Sequence, residues 1–450
     1  MSRNETATPE ATPLKRAISK PLLVVFVTGD ILGAGIYAVA GEIASQVGSA
    51  VWAPMLLAFA LAMLTATSYS ELVTKYPQAA GAALYVHKAF GLPFLTFIIA
   101  VAVMASGIAS ASTSALAFAQ YLSALVSFPR VLAALAFLLV LTFINYRGIS
   151  ESIKLNLGLT AIEVSGLLIV IVIGGMALAS GSGDVSRALE FRTDTAIPLA
   201  ILSGAALAFF SFVGFEDSVN CAEETQNPRQ IFPFALFTGL TIALVFYLLV
   251  VLTAAVVLPT DKLVGSSAPL LDVVRIGAPA FPAKVFAFIA LLAVTNTALI
   301  NLIMASRLLY GLSNQGIVPA LFGRVHQTRQ TPWVAILVVS GVAVALVSTG
   351  SIAALAGTTV LLLLSVFTLV NVSVLVLRRD KISEQHFRAP TLIPVLGAIS
   401  CAGLVVFTIV IDPFATLRAV LLIGVGIVLW FVNRAFHGRV KEIDNTRLIK

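Results

Sequence analysis

The sequence predicts an all-α integral membrane protein of twelve transmembrane helices, two of them broken, and three observations carry that prediction. Hydrophobic residues make up 59% of the 450 and charged ones only 11%, far outside the range of soluble globular chains. A bilayer takes about 20 apolar residues per helix, and twelve such runs follow one another along the chain. Two of them, the first and the sixth, carry in their interior a glycine within two residues of an acid, a combination that loosens a helix and sets a charge at membrane depth.

The first span runs near 22–44 and holds Gly29-Asp30-Ile31-Leu32-Gly33-Ala34-Gly35 at its centre. The others fall near 52–72, 94–125, 129–146, 154–179, 197–221, 233–258, 281–313, 333–349, 352–377, 393–411 and 415–435. The long third and eighth are expected to tilt. Only Ser348-Thr349-Gly350-Ser351 parts the ninth from the tenth, and the sixth starts at Pro198, a residue suited to a first helical turn. Residues 1–20 are polar, with Thr-Pro punctuation and no apolar core. They are expected to form a disordered tail without a cleavable signal, leaving the first helix to serve as one. A second tail, 436–450, follows the 21–435 membrane domain.

Lysine and arginine set the orientation. Of the 28, the tails and even-numbered loops hold 21 and the odd-numbered loops seven, so both termini are expected in the cytoplasm of a multi-pass plasma-membrane protein. The formal charge of +7 is then a topology signal and implies no nucleic-acid partner. Cys221 and Cys401 fall in or beside different helices with no CxxC, and His87, His326, His386 and His437 fall in loops or tails. Neither a disulfide, a metal site, a cofactor nor a histidine proton relay is expected. The chain has no Walker-type phosphate loop, no nucleophile with a base for intramembrane hydrolysis, and no continuous polar lining of the kind a channel needs.

The sixth span repeats the irregularity of the first. Phe209-Phe210-Ser211-Phe212-Val213-Gly214-Phe215-Glu216-Asp217 sets a glycine and two acids in an apolar helix. Five helices separate the breaks, as when two five-helix halves carry matching discontinuous helices at a midplane site. Glycines also permit tight helix packing, but packing does not call for acids beside them. The resumed half of helix one, near Ala34 and Gly35, would present free N–H groups and the positive end of a helix dipole to a carboxylate. Carbonyls of Ile31, Phe210, Ser211 and Val213 would receive an ammonium. An α-amino acid matches two poles of opposite sign; a sugar or a simple anion leaves one pole unpaired, at about 1–3 kcal/mol per buried group.

At these residues the chain resembles the amino acid/polyamine/organocation transporter superfamily, over nearly its whole length. The matching stretches are Gly33-Ala34-Gly35-Ile36-Tyr37, then Tyr69-Ser70-Glu71-Leu72-Val73-Thr74-Lys75-Tyr76-Pro77 with Gly81, then Arg147-Gly148-Ile149-Ser150-Glu151-Ser152-Ile153-Lys154-Leu155-Asn156. Phe210-Ser211-Phe212-Val213-Gly214-Phe215-Glu216 leads to Ala222-Glu223-Glu224-Thr225-Gln226-Asn227-Pro228-Arg229 with Pro233, and Ala305-Ser306-Arg307-Leu308-Leu309-Tyr310-Gly311 to Gly316 and Pro319. The resemblance implies two inverted five-helix repeats, about 21–180 and 197–378, with helices 11 and 12 at 393–435 peripheral, working by alternating access. It implies a substrate site at Ile31, Gly33, Ala34, Gly35, Phe210, Ser211, Val213 and Gly214, with Phe210 over the substrate side chain. Ser106, Ser110, Asn296 and Thr297, together with Asn301, would line the side-chain pocket.

The sequence departs from the family at helix five. Where many proton-coupled members carry a lysine three residues after a threonine, this chain reads Thr160-Ala161-Ile162-Glu163. Glu163, with Asp30 and Glu216, is therefore the candidate for coupling. Protonated, Glu163 would donate to a carbonyl of the break in helix one; ionised, it would hold sodium with Thr295 or Thr297; in a third reading it only bridges two helices. Glu71, Glu223, Glu224, Arg147 and Arg307 are candidates for a cytoplasmic ion-pair gate or ordinary interfacial charge. The expected function is secondary active amino acid transport, coupled to protons. A polyamine or cationic amino acid carrier, an exchanger and a sodium-coupled carrier are the alternatives.

Overall fold

The computed structural model describes residues 16–78, 81–148, 153–192, 194–380, 382 and 384–437. The expected tails therefore lie largely outside the described residues, as do positions 149–152 of the fifth-helix motif. Among the described residues every regular element is a helix.

The first crossing consists of α1 (Lys20–Leu32) and α2 (Ala34–Val47), joined at Gly33, whose backbone leaves helical space for that one residue. It is followed by α3 (Trp52–Lys75), α4 (Gly81–Phe90), α5 (Pro93–Leu122), α6 (Arg130–Arg147) and α7 (Ile153–Ala179). The sixth crossing is α8 (Ile197–Phe212), then four irregular residues, then a 3-10 turn over Asp217–Glu224. The chain continues as α9 (Pro228–Val257), α10 (Thr260–Gly265), α11 (Pro269–Gly277), α12 (Ala283–Asn314), α13 (Trp333–Thr349), α14 (Ile352–Leu377), α15 (Leu392–Ile411) and α16 (Pro413–His437).

With each broken crossing taken as one, eleven segments among the described residues are long and apolar enough to span a bilayer, and α13 is a shorter apolar helix in the expected ninth place. This is a twelve-helix arrangement. It differs from the sequence expectation in two respects. Helix seven starts at Pro228 and runs through Pro233, because Asn227 takes a left-handed conformation that begins the helix there. The short helices α4, α10 and α11 are additions, too short and too interrupted to register as spans.

Burial separates core from periphery. The most apolar stretch of the α1–α2 crossing is 72% buried, against 28% for α15 and 22% for α16. In the centre α1 packs on α9 and α7, α2 on α8, α3 on α8 and α9, and α5 on α12 and α14.

One end of this core is sealed. Past the end of α2, Ser49 N–H donates to Glu190 O (3.0 Å), Arg192 N–H to Val47 O (3.1 Å) and the Trp52 indole to Ala188 O (2.8 Å). A Cβ on Gly41 would stand 2.6 Å from Ser266 O, so the α10–α11 segment closes directly over α2. At the other end, where α1 starts, α3 is tied to α14. Arg378 donates to both Glu71 carboxylate oxygens (2.8 and 2.7 Å), Ala389 N–H donates to the same group (2.9 Å), and the Lys75 ammonium donates to Leu377 O and Asp380 O. Ile18 N–H donates to Glu224 O (3.0 Å) and Gln226 N–H to Ile18 O (2.9 Å), a bridge that sets Ile18 beside Thr225 and holds the start of α1 to the turn after the sixth crossing.

Candidate functional site

The two breaks lie against each other. A Cβ on Gly35 would be 2.6 Å from Ser211 Cα, and one on Gly214, at φ +126°, 2.8 Å from Asp30 O. Any side chain at either position would force the broken segments apart. Gly29 meets Thr160 of α7 and Gly33 meets Thr297 of α12 equally closely. Close packing and chain breaking, the two roles open to these glycines in the sequence, are thus served by the same residues.

The polar ends of the breaks have identifiable partners. Ala34 N–H donates to Thr297 Oγ1 (2.8 Å), and the N–H groups of Gly35 and Ile36 follow it in the first turn of α2, where a helix supplies no internal acceptor. On the carbonyl side, the Tyr247 hydroxyl of α9 lies 2.6 Å from Ile31 O and 2.9 Å from Ser211 O, and Val213 N–H donates to Phe210 O (3.3 Å). Each carbonyl oxygen has two lone pairs and keeps capacity for a second donor.

Around these groups is a cavity of about 510 Å³, its open mouth included. It is lined by Asp30, Ile31, Gly33, Ala34 and Gly35 from the first break and by Phe210, Val213, Gly214 and Asp217 from the second, with Ser110, Asn296, Thr297 and Asn301 facing them. Ser211 stands behind this wall, buried, its Oγ without a partner. Ser106 and Glu216 line an adjoining vestibule. Among the described residues, no group of three or more His, Cys, Asp or Glu is gathered in a way that would hold a metal ion.

The acids divide by environment. Asp30 and Asp217 line the cavity itself. Glu216 Oε2 accepts from Gly214 N–H (2.9 Å), satisfying a backbone group that the break exposes. Glu163 lies outside the lining, wholly buried in α7, and neither carboxyl oxygen makes a hydrogen bond of standard geometry. Asn296 is the polar side chain that reaches it, so the acid adjoins the cavity through one of the cavity's own wall residues. Its backbone carbonyl accepts the Tyr37 hydroxyl (2.8 Å).

Of the second-tier charges, Glu71 is buried and paired, but its partner is Arg378, and Arg147 lies over the Phe143 ring. Arg307 lines the vestibule. Sequence reasoning missed Tyr247, although a lone tyrosine inside an apolar helix is a readable signal, since a buried hydroxyl needs a partner.

The amino acid permease family profile matches residues 21–432. An uncharacterised transporter of Mycobacterium tuberculosis is 28% identical over 96% of this chain and 94% of its own length. A methylthioribose transporter of Bacillus subtilis is 26% identical over 97% of each. Cationic amino acid transporter 9, chloroplastic, of Arabidopsis thaliana is 30% identical over 68% of this chain and 56% of its own length.

Proposed function

This chain belongs to the amino acid permease family, and we propose that it carries α-amino acids across the plasma membrane by alternating access, driven by a proton gradient. The observation that carries the reading is one cavity in which the N-terminus of α2 and the oxygens beside the two breaks lie within a single substrate's reach. The helix end favours the carboxylate and the oxygens favour the ammonium. A neutral sugar of the methylthioribose kind brings no carboxylate and ammonium pair to match the two poles, so that relative's substrate is not carried over.

Alternating access is supported by the asymmetry of the molecule. The end of α2 is sealed by loop and α10–α11 contacts, whereas on the side where α1 starts the cavity continues into the vestibule past Val213, Asp217 and Asn301. With lysine and arginine concentrated on that side, the conformation faces the cytoplasm. Two inverted repeats are supported by the packing. The α1–α9 pair is matched by α8–α3, α1–α7 by α8–α14, and α7–α12 by α14–α5, as exchange of the two halves requires. For coupling, the assignment of Glu163 is supported by its nearness to Asn296 and by the packing of α7 on α12. Counterflow into proteoliposomes loaded with each of the common amino acids tests the reading; trans-stimulation by none of them overturns it.

Asp30 and Asp217 on the cavity wall favour a second reading, a carrier for cationic amino acids or polyamines. Asp30→Asn separates the two: selective loss of arginine, lysine and polyamine competition supports the second, and uniform change across neutral and cationic substrates supports the first.

A further inference from the structure

The vestibule contains more chemistry than an exit path requires. It is continuous with the first cavity through Ser110, Val213, Asp217 and Asn301, and it spans about 930 Å³ with its open mouth included, against about 510 Å³ for the first. Its polar groups are of both signs. Arg307 of α12 lines it with an exposed guanidinium, and among the described residues it makes no ion pair. Opposite in charge is Asp217, and on the same 3-10 turn Asn220 carries a buried Oδ1 with no hydrogen-bond partner. A Cβ on Gly81 would come within 3.3 Å of that oxygen, so the start of α4 packs closely around it. The vestibule's aliphatic stretch is formed by Val103, Met104, Leu308 and Leu363, beside the polar Ser106, Thr359 and Glu216.

From this arrangement we infer a second, weaker site for the transported amino acid: Arg307 takes the carboxylate, Asp217 and the Asn220 carbonyl oxygen take the ammonium, and the aliphatic wall accepts the side chain. A planar guanidinium suits a carboxylate in a partly hydrated setting. An unpartnered buried amide oxygen is a standing cost that an ammonium donor relieves. Asp217 belongs to both cavities, so it stands on the route between the α2 N-terminus and Arg307. The vestibule then works as a staging point on the cytoplasmic route.

The inference rests on the amino acid reading of the first cavity, and binding stoichiometry tells the two apart. The probe is the radiolabelled L-amino acid giving the largest counterflow among the twenty, titrated onto purified full-length protein. Two equivalents bound per wild-type chain, one per Arg307→Gln chain and two per Arg307→Lys chain are expected. Uptake measured from the vestibule side should also show its KM raised about tenfold in Arg307→Gln, the loss of one charge-assisted contact. Because Arg307 is exposed, folding of the variants is not at stake. A single equivalent in the wild type, or two in Arg307→Gln, overturns the second site and leaves the first standing. Saturable binding of none of the twenty overturns both.

Discussion

The Tyr247 hydroxyl lies 2.6 Å from the Ile31 carbonyl oxygen, at a position where the sequence leads one to expect a substrate ammonium. The same hydroxyl is 2.9 Å from Ser211 O, so one side chain from α9 links both broken crossings. A hydroxyl has one proton to give, and the two carbonyls share it. The breaks are thereby held together before any substrate arrives.

Tyr247→Phe keeps the ring and removes that link. Two buried carbonyls lose a donor, at about 1–3 kcal/mol for each group left unpaired, so the substrate-free protein should melt earlier. Substrate ammonium then becomes the replacement donor, and the melting-temperature rise on adding substrate should exceed that of the wild type. An unchanged substrate-induced shift would place the ammonium elsewhere.

Gly35 is limited by space as well as by backbone freedom. Because a Cβ there would stand 2.6 Å from Ser211 Cα, Gly35→Ala is already expected to part the breaks, at about 1–3 kcal/mol for overpacking, and to abolish uptake. Gly175 of α7, where an added Cβ meets nothing within 4 Å, is the control. Gly175→Ala should leave uptake and melting temperature close to wild type. Full uptake by Gly35→Ala would show that the two breaks separate easily.

Glu163→Gln tests proton coupling without changing the cavity wall. Wild-type uptake in proteoliposomes should follow an imposed pH gradient with sodium absent. In the variant that response should vanish while counterflow, which needs no net coupling, persists. A sodium requirement in the wild type, or pH-driven accumulation in the variant, would assign the ion or the residue differently.

The Glu71–Arg378 pair anchors α14 to α3 at the vestibule end. Both side chains are largely buried, and the carboxylate holds the Arg378 guanidinium above its ordinary range. Glu71→Gln removes the counter-charge and leaves that cation neutral acceptors alone, the new amide oxygen, the Thr391 hydroxyl and the Ala389 carbonyl, and loss of one charge from a buried pair costs about 3–5 kcal/mol. The double variant Glu71→Gln/Arg378→Gln should therefore melt above the single one in thermal-shift measurements. Equal destabilisation of both would mean that Glu71 acts mainly by accepting from Ala389 N–H.

Much of this protein is set by local composition. Apolar runs of about 20 residues define the crossings whatever their neighbours, because lipid leaves a backbone no partner but itself. The breaks were legible for the same reason: Gly33 and Gly214, each with an acid close by, contradict a continuous helix on chemical grounds alone. Twelve crossings, the two breaks and the family resemblance all follow from that level.

Partnership was decided only by tertiary structure. Nothing in the order of residues says that Tyr247 reaches Ile31 and Ser211, that Thr297 takes the Ala34 amide, or that Arg378, 307 positions along the chain, is the partner of Glu71. Glu216 and Glu163 look alike as acids in apolar helices, yet one satisfies a backbone N–H of the break while the other lies behind the cavity wall against Asn296. The distinction arises because hydrogen bonds act over about 3 Å, and which groups come that close depends on how distant helices cross. Local sequence determines that a helix must break; the packing of the other helices around it determines what fills the gap.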